Sequence, residues 1–95
     1  MRKRDIVAVL IESRSETAIN VQKILTGWGC LIKTRLGLHD GVLNKCSQTG
    51  LIILEMVGED EKIDECVRKL NLIKGAQAKH IGLDLGEEET EKAGS

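Results

Sequence analysis

The residues best suited to chemistry are concentrated in Thr34-Arg35-Leu36-Gly37-Leu38-His39-Asp40-Gly41, where eight positions hold an arginine, a histidine, an aspartate and two glycines. Arg35 could clamp a carboxylate or phosphate through bidentate hydrogen bonds, or pair with an acid across a subunit boundary. Gly37 would let a ligand or another backbone approach closely, or mark a bulge. A second candidate is Ser13-Arg14, ahead of an amphipathic stretch, where a helix N-terminus could help them hold a carboxylate. Ser13 and Glu16 also have the S-x-x-E spacing of a capping box, which accounts for both without a ligand. The ligand-binding set read from the sequence is therefore Ser13, Arg14, Arg35 and Gly37, with His39 and Asp40 as turn residues.

Three further side chains have donor atoms that suit zinc or nickel: His39, Cys46 and His80. Their spacing matches no metal motif. A solvated loop histidine, an ordinary thiol and an edge-strand histidine account for them, so no metal and no cofactor are expected. Cys30 and Cys66 fall in apolar patterns and are expected in the core. No nucleophile stands in a recognisable relation to a base, and no pair of acids marks a pocket, so no catalytic residue is assigned.

Composition narrows the class further. The 95 residues suffice for one small domain with little surplus stability. A formal net charge of −1 gives no basic excess for displacing counterions from nucleic acid. The only basic cluster, Arg2-Lys3-Arg4, reads as a solvated flank before the first strand. Trp28 is the sole aromatic, and neither Phe nor Tyr occurs, so base-stacking on a sheet surface is excluded. The three cysteines form no C-x-x-C pair, which suits reduced thiols in the cytoplasm. The longest apolar run, Ile6–Ile11, is far too short to span a bilayer.

The elements that must position these residues follow from periodicity. Ile6-Val7-Ala8-Val9-Leu10-Ile11 is apolar without alternation and predicts a strand buried on both faces. A helix follows, with Ala18, Val21, Leu25 and Trp28 on one face and Gly27 and Gly29 ending it through left-handed backbone. Trp28 would close the end of the core. Residues 30–39 alternate. Cys30, Ile32, Thr34, Leu36 and Leu38 share one face, and Leu31, Lys33, Arg35, Gly37 and His39 share the other, as in an exposed edge strand. A polar connection over 40–49 leads to a second central strand at Leu51-Ile52-Ile53-Leu54. A second helix begins at Glu59 or Asp60, with Ile63, Cys66, Val67 and Leu70 as its inner stripe. Asp64–Arg68 and Glu65–Lys69 would pair on its outer face. After a break at Gly75, residues 76–85 form the last strand, and 86–95 form a polar tail expected to be disordered.

This order, β-α-β-β-α-β, predicts an α+β ferredoxin-like sandwich over residues 1–85, with a four-stranded antiparallel sheet and two helices on one face. The first and third strands would be central. The other sheet face would be left apolar and open, a liability in a monomer, so a homodimer or homotetramer through that face or through edge strands is expected.

With this architecture the chain resembles an ACT-like regulatory domain, and more narrowly the small stand-alone proteins described as regulators of iron-only hydrogenase systems. The residues that carry the resemblance are Glu12-Ser13-Arg14 after the first strand, Val21, Ile24 and Leu25 in the helix, Arg35-Leu36-Gly37-Leu38, and Gly75 to Ala78 leading into the last strand. The resemblance implies an oligomeric, non-catalytic regulator of a metabolic or hydrogenase system that senses a small, anionic effector at an oligomer interface. A more distant likeness, to the ligand-sensing domain of the nickel-responsive repressor, implies a nickel or zinc sensor as the alternative. The positions comparable to that domain's ligands hold Arg35, Gly37 and approximately Gly50, none of which binds metal. A pure protein-interaction module is the remaining reading.

Overall fold

An apolar strand that does not alternate needs cover on both faces and neighbours on both edges. The computed structural model, which describes residues 3–39 and 49–86 and residues 38 and 39 by their backbone alone, gives the first strand both neighbours. The elements run β1 (Lys3–Glu12), α1 (Ser15–Gly27), a single 3-10 turn (Gly29–Leu31), β2 (Ile32–His39), β3 (Thr49–Met56), α2 (Asp60–Asn71) and β4 (Ala76–Asp84). The sheet order is β2-β3-β1-β4, with every neighbouring pair antiparallel. This is the expected ferredoxin-like arrangement, with β1 and β3 central and β2 and β4 at the edges.

The register sorts the side chains. Val7 lies opposite Leu54 and His80, and Val9 opposite Ile52 and Ala78. These residues point to the helix side, where Val7, Val9, Leu54, Ile63, Cys66 and Leu70 are wholly buried together with Val21 of α1. The intervening residues of β1 and β3 point the other way, and no described helix covers that face. Leu10, Leu36, Ile81 and Leu83 are 46%, 53%, 47% and 57% exposed. The open apolar face expected from the sequence is present.

Several local expectations need correction. Helix α1 begins at Ser15, not Ser13, with Arg14 as its extended N-cap and no side-chain cap bond. Glu16 is thus one position too early for the reciprocal capping box. The inner face of α1 is Thr17, Val21 and Leu25, with Ala18 only half-buried. The helix stops at Trp28, whose N–H donates to Ile24 and Leu25 carbonyls. Neither Gly27 nor Gly29 is left-handed. Trp28 does pack against the core as expected. Cys30 sits in the 3-10 turn and is exposed, whereas Cys66 is buried as expected. In β2, Ile32 lies opposite Met56 but Thr34 opposite Glu55, so Lys33 is an extra residue in a bulge. The bulge puts Ile32 under the helices while Leu36 stays on the open face, and it breaks the single period-two face read from the sequence.

Of the basic flank, Arg2 lies outside the described residues, and the other two residues do not form a flank. Lys3 and Arg4 lie inside β1, and both are paired with acids. In α2, Arg68 pairs with Glu65 at 3.0 Å, and Asp64 turns instead to His80. Positions 40–48, which include Asp40, Gly41 and Cys46, and the tail beyond 86 lie outside the described residues.

Candidate functional site

The β1–α1 turn carries Ser13 and Arg14. Strand β1 delivers Glu12 to the turn, where its N–H donates to the Gly75 carbonyl at 2.9 Å. Arg14 leans toward the Glu12 carboxylate at 3.8 Å, with both side chains well exposed, a contact that contributes little in water. Thr17, buried on the inner face of α1, donates to the Lys74 carbonyl at 3.2 Å and reaches the Glu12 carboxylate at 3.4 Å. The turn is thereby tied to the α2–β4 connection. Gly75, with φ of +90°, occupies a left-handed position there.

Arg35 and Gly37 lie on β2, on the helix side of the sheet and both exposed. Gly37 is no bulge, since the register irregularity falls at Lys33. Among the described residues, a side chain at 37 would meet nothing within 4 Å. Within one chain the two halves of the expected ligand set do not converge. Arg35 is level with Val7, through Leu54, and Glu12 is five residues further along β1, about 16 Å at the rise of a strand.

The two candidate histidines do not converge either. His39 is on β2 opposite Gly50, and His80 is on β4 opposite Val7. They stand on opposite edges of the sheet, about 14 Å apart across the strands alone, too far to share an ion in one chain. Of the three only the His80 side chain is described, and carboxylates meet both of its ring nitrogens.

A charged cluster that the sequence reading missed surrounds that ring. Asp5, on the buried side of β1 and only 6% exposed, accepts from His80 Nε2 at 2.7 Å. Asp64 of α2 lies 2.8 Å from Nδ1. Lys3 Nζ bridges the Asp5 carboxylate, at 2.9 and 3.0 Å, and Asp60 at 2.7 Å. The donor atoms of Asp5, Asp60 and His80 fall within 4.8 Å of one another, and the Lys3 ammonium lies against both carboxylates as the cluster's cation. Burial pushes the Asp5 pKa up, and the hydrogen bonds from His80 and Lys3 outweigh it, leaving the carboxyl below its ordinary range. Burial pulls His80 down, but the hydrogen bonds to Asp64 and Asp5 carry it above the ordinary histidine value. The hydrogen bonds to Asp60 and Asp5 raise Lys3 further. The signal in the sequence was parity: Asp5 shares its face with Val7 and Val9, and a carboxylate on a buried face must be partnered.

No family model matches this sequence, and no curated protein matches it. Solved structures do share the fold. An uncharacterized protein of Thermotoga maritima superposes with a TM-score of 0.75 at 23% identity, over 86% of this chain and 99% of that one. The ACT domain from GTP pyrophosphokinase of Chlorobium tepidum gives 0.61 at 12% identity, over 83% and 96%. CPII of Thiomonas intermedia K12, a nitrogen regulatory PII-like protein bound to ADP, AMP and bicarbonate, gives 0.58 at 10% identity, over 90% of each chain. The chain therefore has the ACT-like and PII-like form of the ferredoxin-like fold. Among the described residues no helix is long and apolar enough to cross a membrane.

Proposed function

We propose that this chain is a non-catalytic regulatory module that works as a homodimer or homotetramer and senses a small anionic ligand at a seam between copies. The observation that carries the reading is the open sheet face, where Leu10, Leu36, Ile81 and Leu83 stand about half exposed on all but one of the strands. A second copy covering it completes the domain. The fold shared with an ACT domain and with a nucleotide-bound PII-like protein supports ligand sensing as the purpose of that assembly. Arg35, at the β2 edge and on the helix side of the sheet, supplies the guanidinium for the anion where a neighbouring copy meets that edge and not the open face. Ser13 and Arg14 lie too far along the sheet to join it in the same chain, so a shared site needs them from a neighbouring copy. Cys66 fits a non-catalytic role, since burial pushes its thiol up to about 11. Regulation of a hydrogenase or other metabolic system is the finer form of this reading, and the genes beside this one test it.

Sedimentation velocity across a wide concentration range, followed by melting in the presence of amino acids and nucleotides, tests the proposal directly. An oligomer that one ligand stabilises, with the gain lost in R35A, is the expected result. A concentration-independent monomer sinks the assembly, and an oligomer that no ligand stabilises turns the reading toward a pure protein-interaction module.

A further inference from the structure

We propose that His80 is a proton-operated latch, which as an imidazolium clamps α2 onto the β1–β4 pair and on losing its proton releases Asp64 and loosens the middle of that helix. The argument begins with donors. Nε2 meets the Asp5 carboxylate at 2.7 Å and Nδ1 meets the Asp64 carboxylate at 2.8 Å. A neutral imidazole has one N–H, and an ionised carboxylate has none. With carboxylates on both nitrogens, a neutral ring must turn a lone pair toward one of them. Only the imidazolium satisfies both contacts.

The surroundings decide which contact yields. On the helix side of the sheet, the charged groups facing the ring are Lys3 and Asp5 from β1 and Asp60 and Asp64 from α2. The flanking same-face positions on β4 itself, Ala78 and Gly82, carry no charge. The Asp5 side chain is 8% exposed and is also held by Lys3, whereas Asp64 is 63% exposed. Asp64 can therefore take water in place of the ring at small cost, and Asp5 cannot. A neutral His80 keeps its proton on Nε2, facing Asp5, and its Nδ1 lone pair repels Asp64. The first turn of α2 stays tied down by the Lys3–Asp60 pair at 2.7 Å, whose ammonium is held charged by the hydrogen bonds to Asp60 and Asp5. The latch thus has one permanent arm and one arm that responds to pH. A lysine or arginine at position 80 would hold permanently, whereas histidine makes the arm switchable in the physiological range.

The sign follows from the raised value of His80. Stability from the latch is complete below the unfolded histidine value of about 6.5 and is lost as pH rises through the higher folded value.

An NMR titration of the histidine rings of the full chain, with His80 identified in a His39→Gln variant, reads this out. The ring is expected to titrate above an ordinary histidine, with the neutral form protonated on Nε2. Amides in the middle of α2, corrected for intrinsic exchange, should exchange faster above that value. Asp64→Asn, at an exposed position that leaves the fold intact, should lower the ring's value by about one unit and flatten the pH dependence of α2. A ring titrating at or below the ordinary value, an unchanged value in D64N, or α2 protection that ignores pH would each overturn the latch.

Discussion

Gly75 carries the sharpest constraint of any single residue. Its φ is +90°, and a Cβ built there would lie 2.0 Å from Glu12 Oε2 and 2.6 Å from Glu12 Cγ. The clash involves the stem of the side chain as well as its tip, so rotating the carboxylate away does not relieve it. Gly75→Ala is expected to cost about 2 kcal/mol in urea melts, from the left-handed backbone together with displacement of Glu12. Glu12→Ala in the same chain should restore part of that loss, because it removes the clash and leaves the backbone cost. A double-mutant cycle showing no coupling would place Glu12 elsewhere in solution. At this scale the sequence was read well where a pattern was local and poorly where a partner was distant. Gly75 broke the pattern visibly, and Cys66 lay on a clean helical stripe. Cys30 looked equally apolar in context, but a turn ends α1 there and leaves it exposed. The Asp64–Arg68 pair was reasonable by helix spacing, yet His80, sixteen residues away, competes for Asp64 with a hydrogen bond that helix spacing cannot reveal.

At the scale of elements, the join between α2 and β4 depends on a residue outside the apolar stripe. Asn71, at the end of α2, donates from Nδ2 to the Ala78 carbonyl at 3.0 Å and accepts from the Ala78 N–H at 2.8 Å. Both backbone groups of Ala78 therefore point away from β1, so its pairing with Val9 is of the non-hydrogen-bonded kind. Asn71 occupies the free edge of the sheet at that position, where a further strand would otherwise add. Asn71→Ala is expected to cost about 1–2 kcal/mol and to expose the Ala78 amide to fast hydrogen exchange, with the α2 stripe otherwise unchanged. Retained protection at Ala78 in that variant would mean another group caps the edge. The two helices, the four strands and the central and edge roles were all legible, because amphipathic and two-sided apolar patterns are properties of a short window. The bulge at Lys33 was not, since it arises from Ile32 packing under helices that a window on β2 does not contain. The same limit hid the Asp5, Asp60, Asp64 and Lys3 cluster, whose members come from β1 and α2, far apart in sequence, and meet only where the helix packs on the sheet.

For the whole molecule, the question is what a domain this small does with two apolar sheet faces. One face is covered by the helices, and its buried core contains no aromatic ring. The other leaves Leu10, Leu36, Ile81 and Leu83 about half exposed over half-buried Ile6, Leu51 and Ile53. Full burial of a side chain of this kind contributes about 1.5–3 kcal/mol, so covering half of each of those four is worth several kcal/mol per chain. That is comparable with the whole stability of an ordinary domain, about 5–15 kcal/mol. Assembly through this face would therefore be part of what keeps the chain folded. Leu10→Glu puts a charge on a central strand of the face, opposite Leu51 and Gln77, without touching the helix-side core. It should convert the oligomer to a monomer in sedimentation velocity and lower the melting temperature together with it, whereas Lys23→Glu on the outer side of α1 should do neither. If L10E sediments as the parent does, the copies meet along an edge strand, and since Asn71 already occupies the β4 edge at Ala78, the β2 edge beside Arg35 and Gly37 becomes the seam. That outcome would bring Arg35 and its counterpart together across a two-fold axis and leave the apolar face for a different partner.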